Sequence, residues 1–256
     1  MQPTTSTKNY RSIIGSISPS MVNNIDIKNP KVIAWWSAAF PGYGHLILGN
    51  YFIGIILLIH EGVINAFSGL NLAIYYSFIG EFAQALQSID TTWLLAYIPP
   101  YIFAIWNSYQ QTKQLNEDYI IARQRGFDIY LSSMSLYSFN RLEEKNPYVA
   151  VFWSLLAPGL GHIYINRILM VLLVPFLILI LHNSELLPAV HFTMIGDFES
   201  ARNATNPQWL MNLPSIYGFM VYDAYVKTVE YNKLYKMYQQ RYLEKTYQHH
   251  QFQMPI

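Results

Sequence analysis

The chain has no cysteine and little charge. Among its 256 residues Cys numbers 0, and Asp, Glu, Lys and Arg make up 12%. The first absence excludes disulfides, thiolate metal sites and thiol catalysis. The second is about half the charge usual for a soluble domain. A net charge of +1 leaves no basic footprint for nucleic acid. No His-Glu-x-x-His, phosphate-binding glycine loop or Ser/His/Asp context is present, so no enzyme signature is found. No residue set points to a cofactor or metal, and Gln248-His249-His250-Gln251 is too short to define a metal site. What is present is apolar: 52% hydrophobic and 16% aromatic, arranged in blocks. This combination predicts an integral membrane protein whose first partner is the lipid bilayer.

The chain says one phrase twice. Asn29-Pro30 leads to Trp36 and then Pro41-Gly42-Tyr43-Gly44-His45. Asn146-Pro147 leads to Trp153 and then Pro158-Gly159-Leu160-Gly161-His162, so the histidines lie 117 residues apart (45 to 162). Ile79-Gly80-Glu81-Phe82 recurs as Ile195-Gly196-Asp197-Phe198, and Asn107-x-Tyr109 as Asp223-x-Tyr225, both offset by 116 (79 to 195, 107 to 223). A period this long indicates tandem duplication of a whole bundle rather than a solenoid.

The expected fold is therefore all-α, with two tandem pseudo-symmetric repeats over residues 29–125 and 146–241. Residues 1–28 read as a mobile N-terminal tail, 126–145 as a linker and 242–256 as a C-terminal tail. Each repeat opens with a short apolar helix, 32–40 or 149–157, which Pro-Gly ends by removing a donor and freeing φ. A more apolar segment follows, 51–67 or 168–181, and then a stretch beginning at Trp93 or Trp209 that runs on into a charged helix.

Lysine and arginine cluster in the N-terminal, middle and C-terminal segments, while the connection from the more apolar segment to the Trp93 or Trp209 stretch holds none in the first repeat and only Arg202 in the second. The positive-inside rule then places both termini and the linker in the cytosol of a multi-pass cell-membrane protein. That arrangement needs two crossings per repeat and makes the short helix re-entrant or interfacial. Six crossings in inverted halves is the alternative.

The phrase is the candidate site: Trp36, Pro41, Gly42, Gly44 and His45 with Trp153, Pro158, Gly159, Gly161 and His162. Irregular backbone at membrane depth requires burial or water. Each histidine can bond the free carbonyls of its own helix end, or the two imidazoles can face each other and bind a lipid phosphate, carry a proton or share a metal. Asn107 and Asp223 are placed to cap or bridge to the short helix. Glu81 and Asp197 are matched outer acids, either capping carboxylates or a point of access for a cation or substrate. His60-Glu61 has Leu177-Ile178 as its counterpart, which argues against a site shared by both halves. Tyr231, Tyr235, Tyr238 and Tyr242 fall on one helical face. That stripe either packs on residues 115–125 or docks a protein partner or anionic lipid.

Pro-Gly-x-Gly-His followed by Ile163-Tyr164, or by Leu48-Gly49, resembles the bacterial two-transmembrane-helix domain family. The family's phrase is Pro-Gly-x-Gly-[His or Gln]-x-Tyr-x-Gly. This chain has Ile47 where Tyr is expected and Asn166 where Gly is expected. The resemblance implies a small, non-enzymatic membrane module.

Three functions compete. The first is a scaffold or assembly factor whose cytosolic helices bind a protein partner or a second copy. The second is a small-solute transporter, channel or lipid-handling protein, because broken helices at symmetric positions mark transporters. A membrane enzyme is the third and has the least support.

Overall fold

The structure is a computed structural model that describes residues 13–18, 20–125, 128–131 and 140–247. It is 76% helical. The chain begins with β1 (Ile13–Ser18) and β2 (Met21–Asn24). The helices α1 (Pro30–Ala39), α2 (Tyr43–Ile47), α3 (Tyr51–Ser68), α4 (Leu70–Phe78), α5 (Phe82–Ser88) and α6 (Thr91–Arg125) come next, and then β3 (Asp128–Leu131). The second series is α7 (Pro147–Leu156), α8 (Leu160–Tyr164), α9 (Ile168–Val171), α10 (Leu173–Asn183), α11 (Leu186–Met194), α12 (Phe198–Ala204), α13 (Pro207–Leu210) and α14 (Leu213–Tyr247).

Local chemistry explains the shared design of α1 and α7. Asn29 and Asn146 accept from the backbone N–H groups of Lys31 and Tyr148, and Pro30 and Pro147 occupy first-turn positions that need no donor. Both helices stop two residues before the next proline. Phe40 (φ −160°) and Ala157 (φ −153°) are extended because proline disfavours the helical conformation in the preceding residue. Gly42 (φ 104°) and Gly159 (φ 105°) then turn the chain through a conformation open chiefly to glycine.

Among the described residues only α3, with 18 residues, is long and apolar enough by itself to cross a membrane. The pair Ile168–Asn183 and Leu186–Met194, bent by 57°, meets the same criterion jointly. α6 and α14 are 35 residues each, but their apolar portions are short. α6 continues through Pro99 and Pro100, which leaves the carbonyls one turn earlier without helical donors.

The helical content fits the expected all-α class, and a small sheet adds to it: β1 pairs with β2 antiparallel and with β3 parallel, in the order β2-β1-β3. Residues 13–18 and 20–24 are thus strand and turn rather than tail, and the expected linker contributes β3. The reason is burial. Ile17 and Val22 pack on Tyr231 and Leu234 of α14, forming a small second core away from the main one. The tail readings for residues 1–12 and 248–256 lie outside the described residues.

The main core lies between α1 and α2 on one side and α10 and α14 on the other. It contains Ile33, Trp36, Phe40, Tyr43, Leu173, Leu177 and Phe219. Facing outward are large apolar side chains of α3 (Phe52, Ile56, Ile59, Phe67), α6 (Leu95, Ile102, Phe103, Trp106) and α7 (Phe152, Trp153, Leu155, Leu156).

Candidate functional site

Each copy of the phrase is fastened to the long helix of its own half at three heights. At the lower end, Asn116 donates to the Lys28 carbonyl (2.8 Å) and accepts from the Lys28 N–H (3.0 Å). Asn232 makes the same pair of bonds with Lys145, at 2.6 and 2.9 Å. In the middle, His45 Nε2 bonds Asn107 Oδ1 at 3.0 Å, and His162 Nε2 bonds Asp223 Oδ2 at 3.0 Å. Both oxygens are acceptors, so Nε2 carries the proton in each ring. At the upper end, the Tyr101 hydroxyl donates to the Ala38 carbonyl and that of Tyr217 to the Leu155 carbonyl.

Gly44 and Gly161 permit this fastening. A Cβ on Gly44 would lie 2.7 Å from the Ile33 carbonyl and 3.1 Å from Ser108 Cβ. One on Gly161 would lie 3.2 Å from Ala224 Cβ and press against Ser154. The two glycines therefore set how closely the turn approaches α6 and α14.

The histidine rings do not bond the end of their own short helix, and the bond each makes is to a residue of the long helix in its own half. His45 and His162 are fully buried, and their Nδ1 atoms have no partner among the described residues. The bridge expected from Asn107 and Asp223 is present, but it reaches the turn after the short helix. Among the described residues no group of three His, Asp or Glu side chains is placed to hold a metal ion.

No protein-family model matches this chain, and no curated protein or solved structure matches it either. The site's chemistry rests on its own geometry.

That geometry differs between the copies in charge and in setting. Around His45 the polar group is neutral: Gln111 donates to Asn107 (2.7 Å), and Asn50 donates to Gln111 (3.2 Å). At the positions 117 and 116 residues later (50 to 167, 111 to 227) stand Arg167 and Lys227. Arg167 donates to Asp223 (2.7 Å) and to the Tyr51 hydroxyl (2.5 Å), while Lys227 pairs with Glu230 (2.8 Å). Lys28 reaches the same Glu230 at 2.5 Å. At this end of the bundle, burial and the neighbouring Lys227 lower the Lys28 pKa to about 8, against the pull of Glu230. Burial pushes Glu230 up, but Lys227 and Lys28 outweigh it and leave its pKa below the ordinary value.

Setting divides the tryptophans. Trp36 is 8% exposed, edge-on to Phe219 (5.5 Å) and against Tyr222 (4.8 Å), and Tyr43 stacks on Phe219 (3.9 Å). Trp153 is 41% exposed and Leu160 39%. Pro41 is buried and Pro158 is buried, each at its own helix end.

The remaining candidates separate. Asp197 caps α12 by accepting from the Ser200 N–H (3.0 Å). Glu81 occupies the same position before α5 without such a bond, and takes Gln84 at 3.3 Å. Both are exposed, so the capping description suits Asp197 and neither faces an enclosed site. The tyrosine face is broken. Tyr231 is buried and donates to the Arg141 carbonyl (2.8 Å), so it leaves the expected partner surface because the sheet covers it. Tyr235 is half-buried, and Tyr238 and Tyr242 stay exposed.

Glu61 was undervalued in the sequence because its counterpart is apolar. It is buried in α3, where Asn65 (3.2 Å) and Tyr97 (3.3 Å) donate to it. Gln208 of the second half completes this network, donating to Asn65 Oδ1 (2.8 Å) and accepting from the Leu72 N–H (2.8 Å). Both halves do supply it, but from positions that are not counterparts. Asn116 and Asn232 were also missed; their common offset of 116 (116 to 232) was the available signal.

Proposed function

We propose that the chain is a four-crossing membrane protein built from two tandem copies of one unit, with both termini in the cytosol of the cell membrane. It acts there as a non-enzymatic scaffold or assembly factor. Supporting the duplication are the three fastenings repeated at offsets of 116 and 117. Supporting the membrane placement is the outward apolar surface of α3, α6 and α7. Each half then has the two-crossing plan that its resemblance to the two-transmembrane-helix family implies.

One observation carries the scaffold reading. The motif side chains are spent on fastening the bundle, while the cytosolic end of α14 stays accessible beside β3. A groove of about 670 Å³ there is lined by Ile129, Tyr238, Arg241, Tyr242, Glu244 and Lys245. Exposed tyrosines beside arginine and lysine suit a protein surface, since aromatic residues and arginine dominate binding hot spots.

A photo-crosslinking residue at Tyr242 should give protein adducts in native membranes, and one at the buried Tyr231 should not. Adducts to lipid alone, or none at Tyr242, would count against the scaffold. On the same cysteine-free chain, a cysteine at the exposed Tyr130 should react with an impermeant reagent only after the membrane is opened. Labelling from outside would refute the four-crossing arrangement.

A second reading, lipid handling, is favoured by a pocket of about 310 Å³ between the start of α1 and α14. Val32, Ile33, Tyr222, Val226 and Val229 line its apolar part, and Lys28 and Lys233 are at its rim.

A further inference from the structure

The aromatic contact between the two halves is one-sided. Trp36 and Tyr43 of the first half pack on Phe219 and Tyr222 of the second. If the halves were related by a closed two-fold axis, Trp153 and Leu160 would pack in return on Phe103 and Trp106, the counterparts at offsets of 117 and 116. They do not. Trp153 (41%), Phe103 (45%) and Trp106 (56%) are all exposed.

α6 packs against α1, α7 packs against α14, and the rings of Trp36 and Tyr43 bridge from α1 and α2 to α14. The knob face used inside the chain is repeated, unused, on α7 and α8. The receiving face is repeated, unused, on α6. A contact in which different patches meet is head-to-tail, and such contacts extend until a rotation closes them. Three of the four rings recur as rings: Trp36 becomes Trp153, Phe219 becomes Phe103 and Tyr222 becomes Trp106, while Tyr43 becomes the apolar Leu160. Between helices in lipid, where hydrophobic burial supplies no drive, association rests on van der Waals packing, which close ring contacts provide, and on interhelical hydrogen bonds.

We propose that the chain associates with a second copy of itself through this repeated contact, Trp153 and Leu160 of one copy seating on Phe103 and Trp106 of the other. Two copies joined at both ends place four units in a ring. The proposal deepens the scaffold reading by naming its partner within the membrane, and it rests on the duplication proposed there. The cytosolic ion pairs of the internal contact are not reproduced, because Gln114 and Glu117 stand at the positions of Glu230 and Lys233. The contact between copies is thus aromatic, and less firmly held than the one inside the chain.

A photo-crosslinking aromatic residue at Trp106 keeps a ring at the contact and should yield covalent dimers in native membranes. The same residue at Phe52 or Ile178, on other exposed surfaces, should yield none. Subunit counting by photobleaching in lipid nanodiscs should give two copies for the unmodified chain and one for Trp153→Ala with Phe103→Ala. A single copy in the unmodified chain, or dimers formed as readily from position 52 or 178, overturns the proposal. Because position 130 labelling and position 242 adducts are read on the same protein, a monomer that keeps both overturns self-association and leaves the scaffold reading standing.

Discussion

Asp223 accepts from two donors at once, His162 Nε2 at 3.0 Å and Arg167 Nη1 at 2.7 Å, whereas Asn107 is approached by no cation. One fastening has therefore been built in a neutral and a charged form within a single chain. The neutral form needs only matched donors and acceptors. The charged form must balance buried charge, which makes it sensitive to the loss of any one partner.

A double-mutant cycle measures that dependence. Asp223→Asn alone leaves Arg167 buried without its carboxylate, and Arg167→Asn alone leaves Asp223 with histidine only. Each should lower stability by about 3–5 kcal/mol. The pair together, which copies the Asn50 and Asn107 arrangement, should cost less than the sum of the singles. Thermal unfolding in detergent micelles gives the three values. Strict additivity would show that the two side chains do not depend on each other.

Glycine substitutions separate close approach from backbone conformation. Gly44→Ala places a methyl 2.7 Å from the Ile33 carbonyl, a rigid backbone atom. It should destabilise by about 1–3 kcal/mol through overpacking. Gly80→Ala meets nothing within 4 Å, although φ there is 82°. Its cost should be the left-handed strain alone, about 1–2 kcal/mol. The two changes should also differ in where they act. Amide exchange should rise along α1 and α6 for Gly44→Ala, and only near the α4–α5 turn for Gly80→Ala. Equal, local effects would remove the fastening role assigned to Gly44.

The Lys28, Lys227 and Glu230 cluster predicts a pH dependence with a definite sign. Lys28 has a folded pKa of about 8 against the ordinary 10.5. Between those values the unfolded chain holds more protons, so this group's contribution makes stability rise with pH. Lys28→Met should flatten that part of the melting-temperature profile. Glu230 has the same sign in an acidic window. Its lowered pKa contributes stability above the ordinary carboxylate value of about 4.3, and this is lost as pH falls through the folded value. Glu230→Gln should cost about 3 kcal/mol at neutral pH by leaving two buried lysines without a carboxylate. Profiles that run parallel for the Lys28→Met and unmodified chains would show that Lys28 is not the group responsible.

Much of this was legible from residue identity alone. Asn-Pro started α1 and α7, Pro-Gly ended them, and glycine supplied φ near 104° at both turns, because each effect is settled by a few neighbouring backbone atoms. The common offsets also marked Asn107 and Asp223 before their bonds to histidine were seen. Tertiary structure decided the rest. Whether Trp36 and Trp153 lie in equivalent places depends on which half receives the other, and no local pattern encodes that one-sidedness. Gln208 joined Glu61's network from the far half, so aligning the copies position by position hid it. Tyr231 belonged to the helical stripe by spacing, yet burial under Ile17 and Val22 removed it from the surface. The sequence by itself determined the two turns and their timing along the chain. Only the packing of one half on the other decided which copy of the phrase is enclosed and which faces outward, because that choice is made by long-range burial rather than by local backbone preference.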